Sequence, residues 1–140
     1  MLKIKTVTVV GANGTMGANV SAIFASFGNA TVYMVSRDKE KSKKAAIKAG
    51  KSVKADSIVN HLIPVDYSSL DECVKASDLV FESAAENLEL KIELHTKIGK
   101  SLKKGAVACT GSSARAILCS PWAPPSNRTA PWAMHHRSGW

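Results

Sequence analysis

Thr6–Val20 reads TVTVVGANGTMGANV, and the meaning given to this stretch decides the fold. A short β-branched run, Ile4 to Val10, stops at Gly11. Three glycines follow at Gly11, Gly14 and Gly17. From Thr15 to Phe27 the apolar residues Met16, Val20, Ile23, Phe24 and Phe27 recur at helical spacing, with Gly28 at the stop. A strand, a glycine turn and a helix in that order give a glycine motif physical content. One glycine turns the chain sharply out of the strand. A second lets the backbone come close to a pyrophosphate, and a third lets the helix pack hard on the sheet. The phosphates would then rest on the helix N-terminus, where unpaired N–H groups and the helix dipole favour an anion. The spacing is GxxGxxG, one residue longer than GxGxxG. The same turn without a ligand is the competing reading. The flanking strand and helix favour the nucleotide, with Asn13, Thr15 and Met16 as further contacts around the three glycines.

Outward from this turn, strand-like and helix-like segments alternate. Ala30–Val35 reads as a second strand, Asp38–Ala49 as a lysine-rich helix closed by Gly50, and Leu62–Val65 as a third strand. Ser68 or Ser69 is expected to cap a helix to Ser77, with Asp71 or Glu72 completing a capping box. Leu79–Glu82 is a further strand, Asn87 caps a long helix to Leu102, and Ala106–Thr110 is the last strand. Such alternation implies right-handed crossovers and a parallel sheet covered on both faces. The expected class is α/β, a doubly wound parallel sheet of the dinucleotide-binding type, over residues 1–119.

The nucleotide is read at the end of the second strand. An acid there would hold the ribose 2′-hydroxyl of NAD. This sequence has Ser36-Arg37, and a guanidinium recognises phosphate through paired donors. Asp38 is one residue further on and is expected to cap the next helix. The cofactor is therefore NAD or NADP, with the lean towards NADP.

The composition narrows the field. The chain has 140 residues and a net charge of +8, with 45% hydrophobic and 21% charged residues. That is the balance of one globular domain. No window is long and apolar enough for a membrane span, and the N-terminus lacks the pattern of a signal peptide, so a cytoplasmic address is expected. Cys73, Cys109 and Cys119 are odd in number and widely spaced, which indicates neither a zinc site nor a disulfide framework. Arg37 to Lys54 holds eight basic residues against Asp38 and Glu40. No aromatic residues interleave them, so a stacking platform for single-stranded nucleic acid is missing. A solvated helix face or a phosphorylated small molecule remains.

After Cys119 the sequence changes character. Residues 120–140 hold four of the five prolines and all three tryptophans, and no acid follows Glu93. Prolines at this density permit neither helix nor central strand, so an irregular tail is expected. A frameshift or truncation near Ser113 to Cys119 would explain the change.

Three segments in one order, VTVVGANGTMGANVSAIFASFG, SDLVFESAAENLELKIEL and ACTGSSA, resemble the cofactor-binding domain of the 3-hydroxyacyl-CoA dehydrogenase family from about Val7 to Ser113. The resemblance implies hydride transfer between a nicotinamide and C3 of an acyl thioester, as in fatty acid metabolism. It implies that Gly11, Gly14 and Gly17 line the pyrophosphate. Glu86 and Lys91 match the family's pair on the nicotinamide side, and Ser112 matches the serine that holds the substrate oxygen. The family continues with a G-x-H-F-F-N-P strand carrying the general base, then a helical domain that completes the acyl pocket and forms a dimer. The 140 residues contain neither. His135 and His136 lie in the tail with no acid after them, a poor base–orienter arrangement. A dinucleotide-binding module without turnover is thus a second reading. A short-chain-reductase-like domain is a third, but Tyr33 and Tyr67 are followed four residues later by Arg37 and Asp71 rather than Lys.

Overall fold

The computed structural model describes residues 3–54, 56–85 and 87–111. Glu86, Ser112 and the Pro/Trp-rich tail lie outside them. Five strands, β1 (Thr6–Val10), β2 (Thr31–Ser36), β3 (Leu62–Asp66), β4 (Leu79–Glu82) and β5 (Val107–Thr110), pair in parallel in the order β3-β2-β1-β4-β5. Four helices connect them: α1 (Thr15–Ser26), α2 (Lys39–Ser52), α3 (Leu70–Ala76) and α4 (Leu88–Ser101). Short 3₁₀ turns occupy Asp56–His61 and Tyr67–Ser69. The chain winds from β1 out to β3, then returns to β4 on the other side of β1. Strand order therefore reverses between β1 and β4, and ligands of open α/β sheets bind in the crevice at that reversal.

The period-two alternation of the strands builds two cores. Val7, Val9, Val32 and Met34 point to one face and pack with Ala22, Ala25, Ala45, Ala46 and Ala49 of α1 and α2. Val10, Val35 and Val80 point to the other and pack with Leu70, Val74, Leu94 and Ile98 of α3 and α4. At the N-terminal end of the sheet one carboxylate joins three segments. Asp78 accepts from the backbone N–H of Lys5 at 2.9 Å and of Thr6 at 3.1 Å, and from Lys103 Nζ at 2.7 Å. The Lys103 bond, followed by the two backbone donors, brings its pKa down to about 2.

Three local expectations are corrected. The most buried face of α1 is the small one, Gly17, Ala18, Ser21, Ala22 and Ala25. Of the five apolar residues at helical spacing, Val20 and Phe24 pack against the core from its flank, while Met16, Ile23 and Phe27 are 58%, 53% and 86% exposed. Small residues let this helix lie close to the sheet, and the buried Ser21 hydroxyl is satisfied by donating to Gly17 O at 2.8 Å. Helix α2 does not stop at Gly50. That residue is buried, and the helix runs to Ser52, with Lys54 at φ 51° in the left-handed position usual for a helix exit. The capping box at Ser68 and Ser69 does not form. Ser69 makes no side-chain cap, and Asp66 instead accepts from the N–H of Ser68 at 2.9 Å and from its hydroxyl.

Candidate functional site

Gly11 leaves β1 at φ 78°, and its N–H and that of Ala12 both donate to Val35 O, at 2.9 and 3.1 Å. The turn out of β1 is thereby fastened to the end of β2. A Cβ on Gly11 would lie 2.5 Å from Ser83 O, and one on Gly17 would lie 2.5 Å from Gly11 O and 2.8 Å from Ala12 Cα. Both glycines are demanded by the protein's own backbone. Gly14 differs. Its φ of −78° suits any residue, and a Cβ there would meet only Gly11 O, at 3.5 Å. Nothing among the described residues requires glycine at 14. A small residue here leaves the backbone of the turn open to close approach from outside.

Gly14 is also the N-cap of α1, and it brings no side chain to cap the first turn. No acid occupies that turn. The N–H groups that open a helix lack intrahelical partners, so those of Thr15, Met16 and Gly17 form a donor set with the positive end of the helix dipole behind them. Asn13, Gly14, Thr15 and Met16 are exposed around it. The donor set and the lack of an acid suit a pyrophosphate by chemistry.

At the end of β2 the two residues expected to face the nucleotide separate. Ser36 is buried, and its hydroxyl donates to Asp38 O at 2.7 Å and lies 2.6 Å from the Ser42 hydroxyl. It fastens β2 to α2. Arg37 is exposed. Asp38 caps α2, its carboxylate accepting from Glu40 N at 2.9 Å.

The far side of the crevice contains a buried charged cluster that sequence reasoning found only in part. Lys91, 2% exposed, places Nζ 3.0 Å from Glu82 Oε1 and 3.2 Å from Ala84 O. The second carboxylate oxygen accepts from Thr110 Oγ1 at 2.7 Å and lies 3.0 Å from His95 Nε2, and His95 is 1% exposed. Ala84 N–H donates to Oε1 at 2.6 Å. Burial alone would raise the Glu82 pKa, but the bonds from His95, Thr110, Lys91 and Ala84 outweigh it and bring it to about 2. Both backbone groups of Ala84 are thus held by the Glu82–Lys91 pair, which fixes the loop after β4 against the glycine turn. His95 and Glu82 were not expected here. The available signal was helical spacing: Lys91 and His95 are four apart, so α4 presents both on one face. Glu86 and Ser112 lie outside the described residues. Among the described residues there is no group of three potential metal ligands, and no helix is long and apolar enough to cross a membrane.

A strand-order reversal, a glycine turn open to an approaching anion and an uncapped helix start define a Rossmann-type dinucleotide-binding domain. Comparison with known proteins narrows the class. Residues 6–119 match the model for the 3-hydroxyacyl-CoA dehydrogenase NAD-binding domain, and the chain belongs to that family. L-carnitine dehydrogenase of a Pseudomonas species is 44% identical over 46 residues, 33% of this chain and 14% of that protein. Among solved structures, the 3-hydroxybutyryl-CoA dehydrogenase of Escherichia coli K12 is 26% identical with a TM-score of 0.68, over 84% of this chain and 27% of that one. A diketoreductase is 26% identical with a TM-score of 0.66, over 81% and 43%. The matched region therefore covers less than half of each of these proteins. It is the NAD-binding domain of a 3-hydroxyacyl-CoA dehydrogenase-like oxidoreductase.

Proposed function

We propose that this domain, spanning residues 1–119, holds the nicotinamide cofactor of an enzyme that interconverts a 3-hydroxyacyl and a 3-oxoacyl thioester. Gly14 carries the reading, because neither its backbone angles nor its surroundings require glycine, whereas a pyrophosphate laid on the start of α1 does. The bound cofactor supplies a hydride donor and acceptor. This chain's own groups position it. Gly11, Gly14 and Gly17 shape the cradle, Asn13, Thr15 and Met16 border it, and Arg37 meets the adenosine end. Lys91 serves the nicotinamide side by holding the loop around Ala84, and Glu86 is assigned to the same side by the family resemblance. Ser112 binds the substrate oxygen.

The finer reading is a preference for NADPH, supported by the exposed Arg37 guanidinium. Ser36 adds nothing to it, since its hydroxyl is engaged with Asp38 and Ser42. The acyl-CoA substrate, self-association, a cytoplasmic address and a place in fatty acid metabolism belong to the same proposal. A second reading is specific to these 140 residues: they hold no H-F-F-N-P segment, so by themselves they bind cofactor without turnover. Titration of the chain with NADH and NADPH, followed by nucleotide fluorescence, tests the proposal. Binding of at least one, lost in Gly14→Val with the circular dichroism spectrum unchanged, is the expected result. Binding of neither by the wild-type chain would overturn it.

A further inference from the structure

A cleft of about 300 Å³ lies between α1 and α2, away from the β4 side of the sheet. It is lined by Asn13, Gly14 and Thr15 of the glycine turn together with the row Lys41, Lys44 and Lys48. These lysines recur at three and four residues along α2, so they share one helix face. All three are exposed. Among the described residues none has a carboxylate within ion-pair distance, whereas their neighbour Lys43 is paired with Glu40 at 2.7 Å. Among the described residues no acid lines the cleft. Three like charges around a concavity repel one another, and a bound anion relieves that repulsion.

We propose that this cleft binds the phosphomonoester of an adenosine ribose phosphate, with Lys41, Lys44 and Lys48 as its ligands. The inference rests on the dinucleotide reading for its geometry. Glycine-turn residues and the lysine row line the same cleft, so a nucleotide whose pyrophosphate rests on the start of α1 would carry its adenosine ribose beside those lysines. It differs from the reading based on Arg37, because it places the phosphate contacts on α2 and not at the end of β2. Charge-assisted bonds to a dianionic phosphate form where the acidic partner of an ordinary surface lysine is lacking. Two sources carry this chemistry: the 2′-phosphate of NADP and the 3′-phosphate of coenzyme A.

Isothermal titration of the full chain with 5′-AMP, 2′,5′-ADP, 3′,5′-ADP, NADH and NADPH tests it, alongside K41Q, K44Q and K48Q combined in one variant. The second phosphate is expected to tighten binding over 5′-AMP by about 10- to 100-fold. The triple variant, whose exposed side chains leave the fold intact, is expected to lose that gain and its salt dependence while NADH binding holds. Tighter 2′,5′-ADP assigns the cleft to NADP, and tighter 3′,5′-ADP assigns it to coenzyme A. If NADH binds but the second phosphate adds nothing, or if the triple variant retains the gain, the cleft proposal fails alone. If 2′,5′-ADP or 3′,5′-ADP shows the lysine-dependent gain while neither NADH nor NADPH binds, the dinucleotide reading fails and the cleft stands. If none of the five binds, both fail.

Discussion

Gly14 and Gly17 lie three residues apart in one turn and answer to different masters. A methyl on Gly17 meets backbone at 2.5 Å, and backbone cannot swing aside as a side chain would. Overpacking of this kind costs about 1–3 kcal/mol. Gly17→Ala is therefore expected to lower the urea midpoint clearly, whereas Gly14→Ala leaves it unchanged and weakens cofactor binding. Equal midpoints for the two variants would contradict this division. Glu82 is a residue-scale case of another kind. Its carboxylate serves Lys91, His95, Thr110 and the Ala84 amide together. Glu82→Leu leaves the Lys91 ammonium buried without its anion, and breaking a buried pair in this way costs about 3–5 kcal/mol. Chemical denaturation of that variant should show a loss of this size. The double variant Glu82→Leu, Lys91→Met should recover much of it, because the stranded charge is gone.

Among the elements, α1 shows where a sequence pattern misleads. The helical spacing of Met16, Val20, Ile23, Phe24 and Phe27 was visible, but only Val20 and Phe24 of that set pack against the core, and the spacing does not say that the smallest residues lie deepest. A helix beside a glycine turn must approach the sheet closely, and only the Gly17, Ala18, Ser21, Ala22, Ala25 face allows that approach. Phe27→Ser should accordingly shift stability by no more than about 0.5 kcal/mol, the ordinary range for surface positions. Ala22→Leu should destabilise strongly through overpacking. Similar thermal shifts for both would mean that the helix is turned the other way. The strands were legible to within a residue or two, because β-branched runs bounded by Gly, Asn and Asp leave little choice. The exit of α2 was not, since Gly50 looks like a stop and its burial depends on tertiary packing. Within the site, the glycine turn was legible from local sequence alone. The Glu82–His95 contact was not, because it joins residues of β4 and α4 that meet only after the crossover has packed.

For the molecule as a whole, two carboxylates at opposite ends of the sheet contribute to its acid sensitivity, beside Asp66, whose pKa the Ser68 hydrogen bonds lower. Asp78 and Glu82 both have pKa values of about 2, below their ordinary 3.8 and 4.5. A depressed carboxylate stabilises the folded state fully above its unfolded value and loses that contribution as pH falls through the folded value. Stability should therefore be level from neutrality to about pH 5 on account of these two groups, then decline towards pH 2. Urea midpoints measured across that window check it, and a flattened decline is expected in Asp78→Asn. Assayed with acetoacetyl-CoA and NAD(P)H, the 140-residue chain should turn over more slowly than about 1 s⁻¹, the lower edge of common enzyme rates. Absorbance loss at or above that rate would show that a base is present within these residues.

The central position of β1 also fixes when the protein can become a protein during its own synthesis. Val7 and Val9 are completely enclosed, yet β1 is flanked by β2 on one side and by β4 on the other. Parallel strands cannot be joined by a hairpin, so each neighbour arrives only after a whole crossover has been made. A ribosome that has released residues 1–77 has delivered β2 and β3, but nothing to lie along the other edge of β1. Until Leu79–Glu82 emerges, the hydrogen-bonding groups on that edge face water or a stranger. The glycine turn, first in the sequence, is thus among the last features to reach working order, because the Ser83 carbonyl that closes over Gly11 is delivered with the end of β4.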